Sequence, residues 1–253
     1  MNKSVLIYFI FGLLLTQVAA AKIVDLTHDF DEQTIYWPTE KGYKRETVFF
    51  GKTNKNYSYS AFKFCAPEHG GTHIDAPIHF SEKGLSVDQI PIDQLLGKAV
   101  IIDVSKQVDN NRDYLITKDD VLLFENKYRK LTSDDIVIFR TNWSKYWDDK
   151  KKYLGTDVLG DVQHLHFPGI SASAAMYLMQ RQVKGLGIDS ASMDNGQAID
   201  FPVHRIILGA NKYGLENLSN LDILPPTGAR IIVAPMKIKG GSGAPVRVFV
   251  MID

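Results

Sequence analysis

Apolar residues dominate from Val5 to Leu15, with Lys3 before them and Val18, Ala19, Ala20 and Ala21 after them. A positive end, an apolar stretch and small residues at its exit have the form of a secretory signal peptide. The stretch is short against the ~20 residues that span a bilayer, so cleavage before Ala21 is expected rather than anchoring. Beyond it the apolar runs become strand-length. Residues 22–27, 45–50, 57–65, 98–104, 135–141, 184–189, 229–234 and 246–252 predict strands. In 57–65 apolar side chains fall on both parities, so both faces are expected to be partly covered, and Cys65 at its end is read as core.

Helical spacing occurs in two places. Thr117 predicts an N-cap for a helix running to about Lys130, with Asp119 and Asp120 in the first turn where the helix dipole favours them. Ser171 predicts a second N-cap, followed by Ala174, Ala175, Leu178, Met179 and Gln182. Strands outnumber helices. No repeat and no Pro/Gly/Ser linker divides the chain, so residues 1–20 are expected as a leader and 21–253 as a single domain.

Composition narrows the class. The chain has 253 residues, 45% hydrophobic and 23% charged, which is globular rather than disordered. Lys+Arg and Asp+Glu are 29 each, and no basic block interrupts the pattern, which argues against nucleic acid as a partner. The leader carries one lysine and no acid, so its removal leaves the balance near neutral. A single cysteine excludes an intrachain disulfide. The leader implies an extracellular or luminal location, with no membrane contact after cleavage. Asn56, Asn142 and Asn217 head glycosylation sequons there.

The chemistry concentrates in Glu68-His69-Gly70-Gly71-Thr72-His73-Ile74-Asp75-Ala76-Pro77-Ile78-His79-Phe80, which holds three of seven histidines. Gly70, Gly71 and Pro77 oppose a helix. A tight loop running into an extended segment puts His73 and Asp75 on one side, with His79 at the same parity. The two glycines let His69 bend to the same point. Imidazoles with a carboxylate suit a divalent transition metal, zinc first. Three protein ligands, His69, His73 and Asp75, leave room for water, as a catalytic metal requires. His79 is placed to carry protons.

His-Gly-Gly-Thr-His-Ile-Asp-Ala-Pro-Ile-His-Phe resembles the signature of the metal-dependent cyclase family, which includes kynurenine formamidases and isatin hydrolases. The likeness extends to Asp25-Leu26-Thr27-His28, His166-Phe167-Pro168-Gly169, Gly187-Ile188-Asp189-Ser190, Phe201-Pro202-Val203-His204, Leu215-Glu216-Asn217 and the blocks around Pro225 and Gly240–Arg247. The resemblance implies an α/β fold with a central mixed sheet of the swivelling β/β/α type. It implies His69, His73 and Asp75 as ligands of one metal, with His204 and Glu216 completing a second position bridged by Asp75. Zinc, with manganese as alternative, is expected as one or two ions per subunit.

The implied reaction is hydrolysis of an amide C–N bond by an activated water, with His79 passing a proton to the leaving nitrogen and Glu216 holding metal or water. N-formylkynurenine is the first expected substrate. An isatin-type cyclic amide or lactone is the alternative, and a secreted non-enzymatic metal-binding protein a second one. The resemblance also implies a homo-oligomer, dimer or tetramer. Trp37, Phe80, His166 and Phe167 are expected to line the substrate pocket. Asp189 and Asp194 either orient a ligand histidine or form turns. The Gly240–Gly243 run lacks the lysine and helix of a phosphate loop and is read as a reversal before the last strand.

Overall fold

The computed structural model describes residues 22–252; the expected leader lies outside the described residues. In chain order the elements are β1 (Lys22–Asp25), β2 (Lys44–Lys52), β3 (Ser58–Cys65), β4 (His73–Asp75), β5 (Leu96–Asp103), α1 (Ser105–Asn110), β6 (Leu115–Ile116), α2 (Lys118–Lys127), β7 (Asp135–Arg140), α3 (Lys150–Leu154), β8 (Gly169–Ile170), α4 (Ala172–Gln180), β9 (Gly185–Ile188), α5 (Pro202–Gly209), β10 (Tyr213–Glu216), β11 (Ala229–Pro235) and β12 (Gly243–Ile252).

One mixed sheet organises the domain. Its strand order is β1-β12-β11-β5-β7-β9-β10-β4, and β4 also pairs with β12, which closes the sheet into a barrel-like ring. The stretch β5-β7-β9-β10 is parallel, and the remaining pairings are antiparallel. Alternation assigns the two faces. Ala99 and Ile101 of β5 and Ile136 and Ile138 of β7 join Ile231, Val248 and Val250 in one core. Val100, Ile102, Val137 and Phe139 point the other way and meet Val121 and Phe124 of α2, Ala175 and Leu178 of α4 and Ile207 of α5. Both faces of the parallel strands are thus covered, which is why their sequences read as almost continuous apolar runs. This is the α/β single-domain fold with a mixed sheet expected from the sequence.

Helix α2 starts where expected. The Thr117 hydroxyl accepts from Asp120 N–H and the Asp120 carboxylate accepts from Thr117 N–H, a capping box. It stops at Lys127 rather than Lys130. The buried Glu125 carboxylate accepts from Leu131 N–H at 3.0 Å and from Lys130 Nζ at 3.1 Å, which draws the chain back over the helix end and seats Leu131 in the core.

Two expectations need correction. The hairpin β2–β3 forms with a bulge at Thr47/Phe49, but its strands pair only with each other and both faces are exposed. Phe50 is 74% and Phe64 54% exposed. Cys65 is therefore an exposed thiol and not core. The apolar residues on both parities mark surface, because among the described residues no other sheet strand extends this pair.

Glu125 also accepts from Tyr177 Oη at 2.6 Å and from Arg181. Burial pushes its pKa up, but these hydrogen bonds and the Arg181 charge outweigh burial and bring it down to about 2. A depressed carboxyl stabilises the fold above its unfolded pKa and loses that contribution as pH falls through the folded value. Glu125→Ala is therefore expected to cost about 2–3 kcal/mol at pH 7 in urea unfolding. The deficit should shrink between pH 4.5 and pH 2.

Candidate active site

Strand β4 lies at the seam of the ring, between β10 and β12. Its register sets His73 opposite Glu216 and Asp75 opposite Gly214 on one side, and Asp75 opposite Gly243 on the other. Residues directly opposite share a face, as do i and i+2, so His73, Asp75 and Glu216 project together. His73 Nε2 lies 3.2 Å from Asp75 Oδ1 and 3.4 Å from Glu216 Oε2. Pro202 opens α5 and puts His204 in its first turn, with Nε2 3.1 Å from Asp75 Oδ2 and 3.3 Å from Glu216 Oε1. His69, on the loop before β4, brings Nδ1 to 2.7 Å from Asp75 Oδ1. The five residues proposed from the sequence as metal ligands thus converge.

The loop can do this because of Gly70. Its φ is +154°, and an added Cβ would lie 2.0 Å from Cδ1 of Tyr36, whose backbone bridges to Gly70. Any side chain there would expel the Tyr36 ring and move His69. One expectation fails nearby. The extended parity does not reach His79, because Pro77–His79 form a 3₁₀ turn. His79 still arrives beside the cluster, its ring stacked on His69 at 3.8 Å.

Hydrogen bonds on the far nitrogens aim two of the imidazoles. His73 Nδ1 donates to Gly71 O at 3.0 Å. His204 Nδ1 donates to Asp194 Oδ2 at 2.7 Å, and Asp194 is itself held by the Val203 and His204 N–H groups. Both rings therefore turn Nε2 toward the carboxylates. Asp194 orients a histidine, whereas Asp189, just after β9, does neither expected job: it accepts from Thr141 and Trp143 N–H and ties the exits of β7 and β9 together. Burial pushes the Asp189 carboxyl up to about 6.

The electrostatics suit a cation. Burial would raise Asp75, but hydrogen bonds from His204, His69 and His73 hold it well below the usual carboxylate range. Burial would lower His73, yet Asp75 and Glu216 push it up to about 9, and Asp194, Asp75 and Glu216 drive His204 well above its ordinary value. Two buried carboxylates draw protons onto neighbouring imidazoles, and a divalent ion would take the place of those protons. The donor atoms of His69, His73 and Asp75 lie within 4.8 Å of one another, as do those of Asp75, His79 and His204. Nitrogen and oxygen donors in this arrangement fit a transition metal. His79 differs. Burial and the three other imidazoles lower it to about 4 against the pull of Asp75, so it is neutral at pH 7 and able to accept a proton.

Above the cluster is a cavity of about 320 Å³. Trp37 and Phe80 line it, as expected. Phe167 and His166 do not. Phe167 is fully buried behind Trp37, rings 6.3 Å apart, because it fills the helix-side core. His166 points away and pairs with Asp113 at 2.7 Å. The cavity wall includes Phe201, which the sequence reading passed over; its ring is 5.5 Å from Phe80. No local pattern in the sequence marks it as a wall residue; it precedes α5 with φ +47° and reaches the cavity through the fold. Asn217 was also passed over as a wall residue. Its amide donates to Gly71 O and accepts from Tyr153 Oη, so this sequon asparagine is buried and engaged. Among the described residues no lysine or arginine lines the cavity.

Comparison with known proteins agrees with this picture. The family model described as a cyclase matches residues 24–195. The structure of isatin hydrolase A from Ralstonia solanacearum superposes with a TM-score of 0.84 at 34% identity, covering 92% of each chain. A kynurenine formamidase from Salinibacter ruber is 26% identical over 89% of this chain and 95% of its own. A predicted metal-dependent hydrolase from Bacillus stearothermophilus has a TM-score of 0.67 at 28% identity, covering 93% of this chain and all of its own. With an extended His73–Asp75 strand, a converging His/Asp/Glu cluster and these relatives, the chain belongs to the cyclase family of metal-dependent hydrolases.

Proposed function

We propose that this protein hydrolyses the C–N bond of an aromatic amide. The observation that carries the reading is the convergence of His69 Nδ1, His73 Nε2, His204 Nε2, Asp75 and Glu216 on the floor of an aromatic-walled cavity. Zinc is the first candidate ion and manganese the second, with one or two per chain. A bound ion supplies an activated water and an electrophilic charge for the carbonyl oxygen. The chain's own residues do the rest. Trp37, Phe80 and Phe201 bind an aromatic ring. Asp194 keeps His204 aimed. His79, neutral beside the cluster, accepts a proton and returns it to the leaving nitrogen. A purely structural metal site would close with four ligands and leave no such proton carrier, which weighs against a non-enzymatic role.

N-formylkynurenine and isatin both fit amide hydrolysis at this site. The lack of a lysine or arginine in the described cavity wall favours the isatin-type ring amide, which is uncharged, over N-formylkynurenine, a zwitterion whose α-carboxylate meets no cationic lysine or arginine there. Secretion after removal of residues 1–20 is part of the same proposal. So is a homo-oligomer, supported by the β2–β3 hairpin: a lone two-stranded hairpin is only marginally stable in water, and this one exposes aromatic side chains on both faces.

Three outcomes are expected. Chelation with verified metal removal should abolish hydrolysis of isatin and N-formylkynurenine, and zinc or manganese should restore it; undiminished turnover by metal-free protein rejects the reading. In a side-by-side assay isatin should show the higher kcat/KM, and the reverse order would remove the charge argument. His79→Ala should keep its metal while kcat falls by about 10²–10⁴. Loss of metal from that variant would make His79 a ligand, as its closeness to Asp75 and His204 permits.

A further inference from the structure

The Gly240–Gly243 turn does more than reverse the chain. Ser242 Oγ lies 2.8 Å from His69 Nε2 and 2.8 Å from Glu68 Oε2. The same Glu68 oxygen accepts from Ser242 N–H at 2.8 Å and from Gly243 N–H at 3.3 Å. Gly243 packs directly on the imidazole, since an added Cβ would lie 2.5 Å from His69 Cε1. The turn is therefore the wall behind His69.

Proton counting across these contacts has one outcome. Glu68 Oε2 already accepts two backbone N–H groups, and a carboxylate oxygen can only accept. Serine has a single hydroxyl hydrogen. If Ser242 donated it to His69, two acceptor oxygens would face each other at 2.8 Å with no hydrogen between them. The hydroxyl hydrogen must go to Glu68, so Ser242 Oγ accepts from His69, whose Nε2 carries the hydrogen. In the absence of an ion the 2.7 Å contact between His69 Nδ1 and Asp75 holds a hydrogen; an ion in that position would replace it and receive the Nδ1 lone pair.

His69 needs such a device more than the other two imidazoles. It sits on a loop and its side chain is 25% exposed, against 4% for His73 and 5% for His204. Gly71 O and Asp194 already set the tautomers of those two. We propose that Glu68 and Ser242 are a positioning pair that fixes the Nε2–H tautomer of His69 and aims its Nδ1 at the metal position. The proposal rests on the metal reading of the site.

The test uses the full mature chain, with zinc as the probe. Long-range ¹H–¹⁵N correlation spectra should show His69 protonated at Nε2, with and without zinc. Ser242→Ala should weaken zinc binding about 10–100-fold in competition with a chromophoric chelator. Ser242→Thr, which keeps the hydroxyl, should recover most of that loss. Glu68→Ala frees the Ser242 hydroxyl to rotate and should yield a mixture of His69 tautomers. A Ser242→Ala protein that binds zinc as tightly as the parent, or a parent His69 unprotonated at Nε2, overturns the proposal. If Ser242→Ala does not fold, the parent tautomer decides. If the parent binds no zinc, the metal reading fails, while the His69 tautomer in the metal-free protein still tests the pair.

Discussion

A single buried carboxylate organises this molecule's chemistry. Asp75 is 1% exposed and lies within 3.2 Å of a ring nitrogen on each of His69, His73 and His204. Leaving such a charge unpaired in a protein interior is costly, so the fold must bring positive charge to it. Everything nearby serves that end. Strand β4 closes the ring between β10 and β12, α5 ends its approach with His204 in the first turn, and a glycine-permitted bend delivers His69. His73 and His204 are drawn toward their protonated forms by the carboxylates in the absence of an ion, and that same pull suits the cluster to a metal.

The closure of the sheet explains why the site can be both buried and open to substrate. The apolar cores lie on the two faces of the parallel strands, and β4 is short and wedged at the seam, where one glycine of each neighbour, Gly214 and Gly243, pairs with Asp75. The donors and the rings of Trp37, Phe80 and Phe201 line the same cavity. The far nitrogens of the histidines are spent on Gly71 O, Asp194 and Ser242, so the orientation of each ring is decided outside the coordination sphere. Such outer contacts commonly govern how tightly a metal is held.

Much of this was legible in the chain. Strands β5 and β7 announced themselves because burial on both faces leaves continuous apolar runs, and Thr117 and Ser171 capped the helices they were assigned. His69, His73 and Asp75 were readable from local spacing. His204 and Glu216, over a hundred residues away, came only through resemblance, since nothing in local periodicity links α5 and β10 to β4. The hairpin misled because apolar alternation reports which side chains could be buried and not whether anything covers them; Cys65 was misplaced for that reason. His166 and Phe167 were drawn to the pocket by their block, but one packs into the helix-side core and the other turns to Asp113. Phe201 and Ser242 were invisible as site residues because their roles depend on where distant loops meet.

The most direct check is X-ray absorption on the zinc-loaded chain. The account requires a shell of nitrogen and oxygen donors alone, at about 2.0–2.2 Å, with the multiple-scattering pattern of imidazole. Zinc held through sulfur, with Cys65 the single thiol in the sequence, or held without imidazole, would contradict the convergence of His69, His73 and Asp75 on one cation.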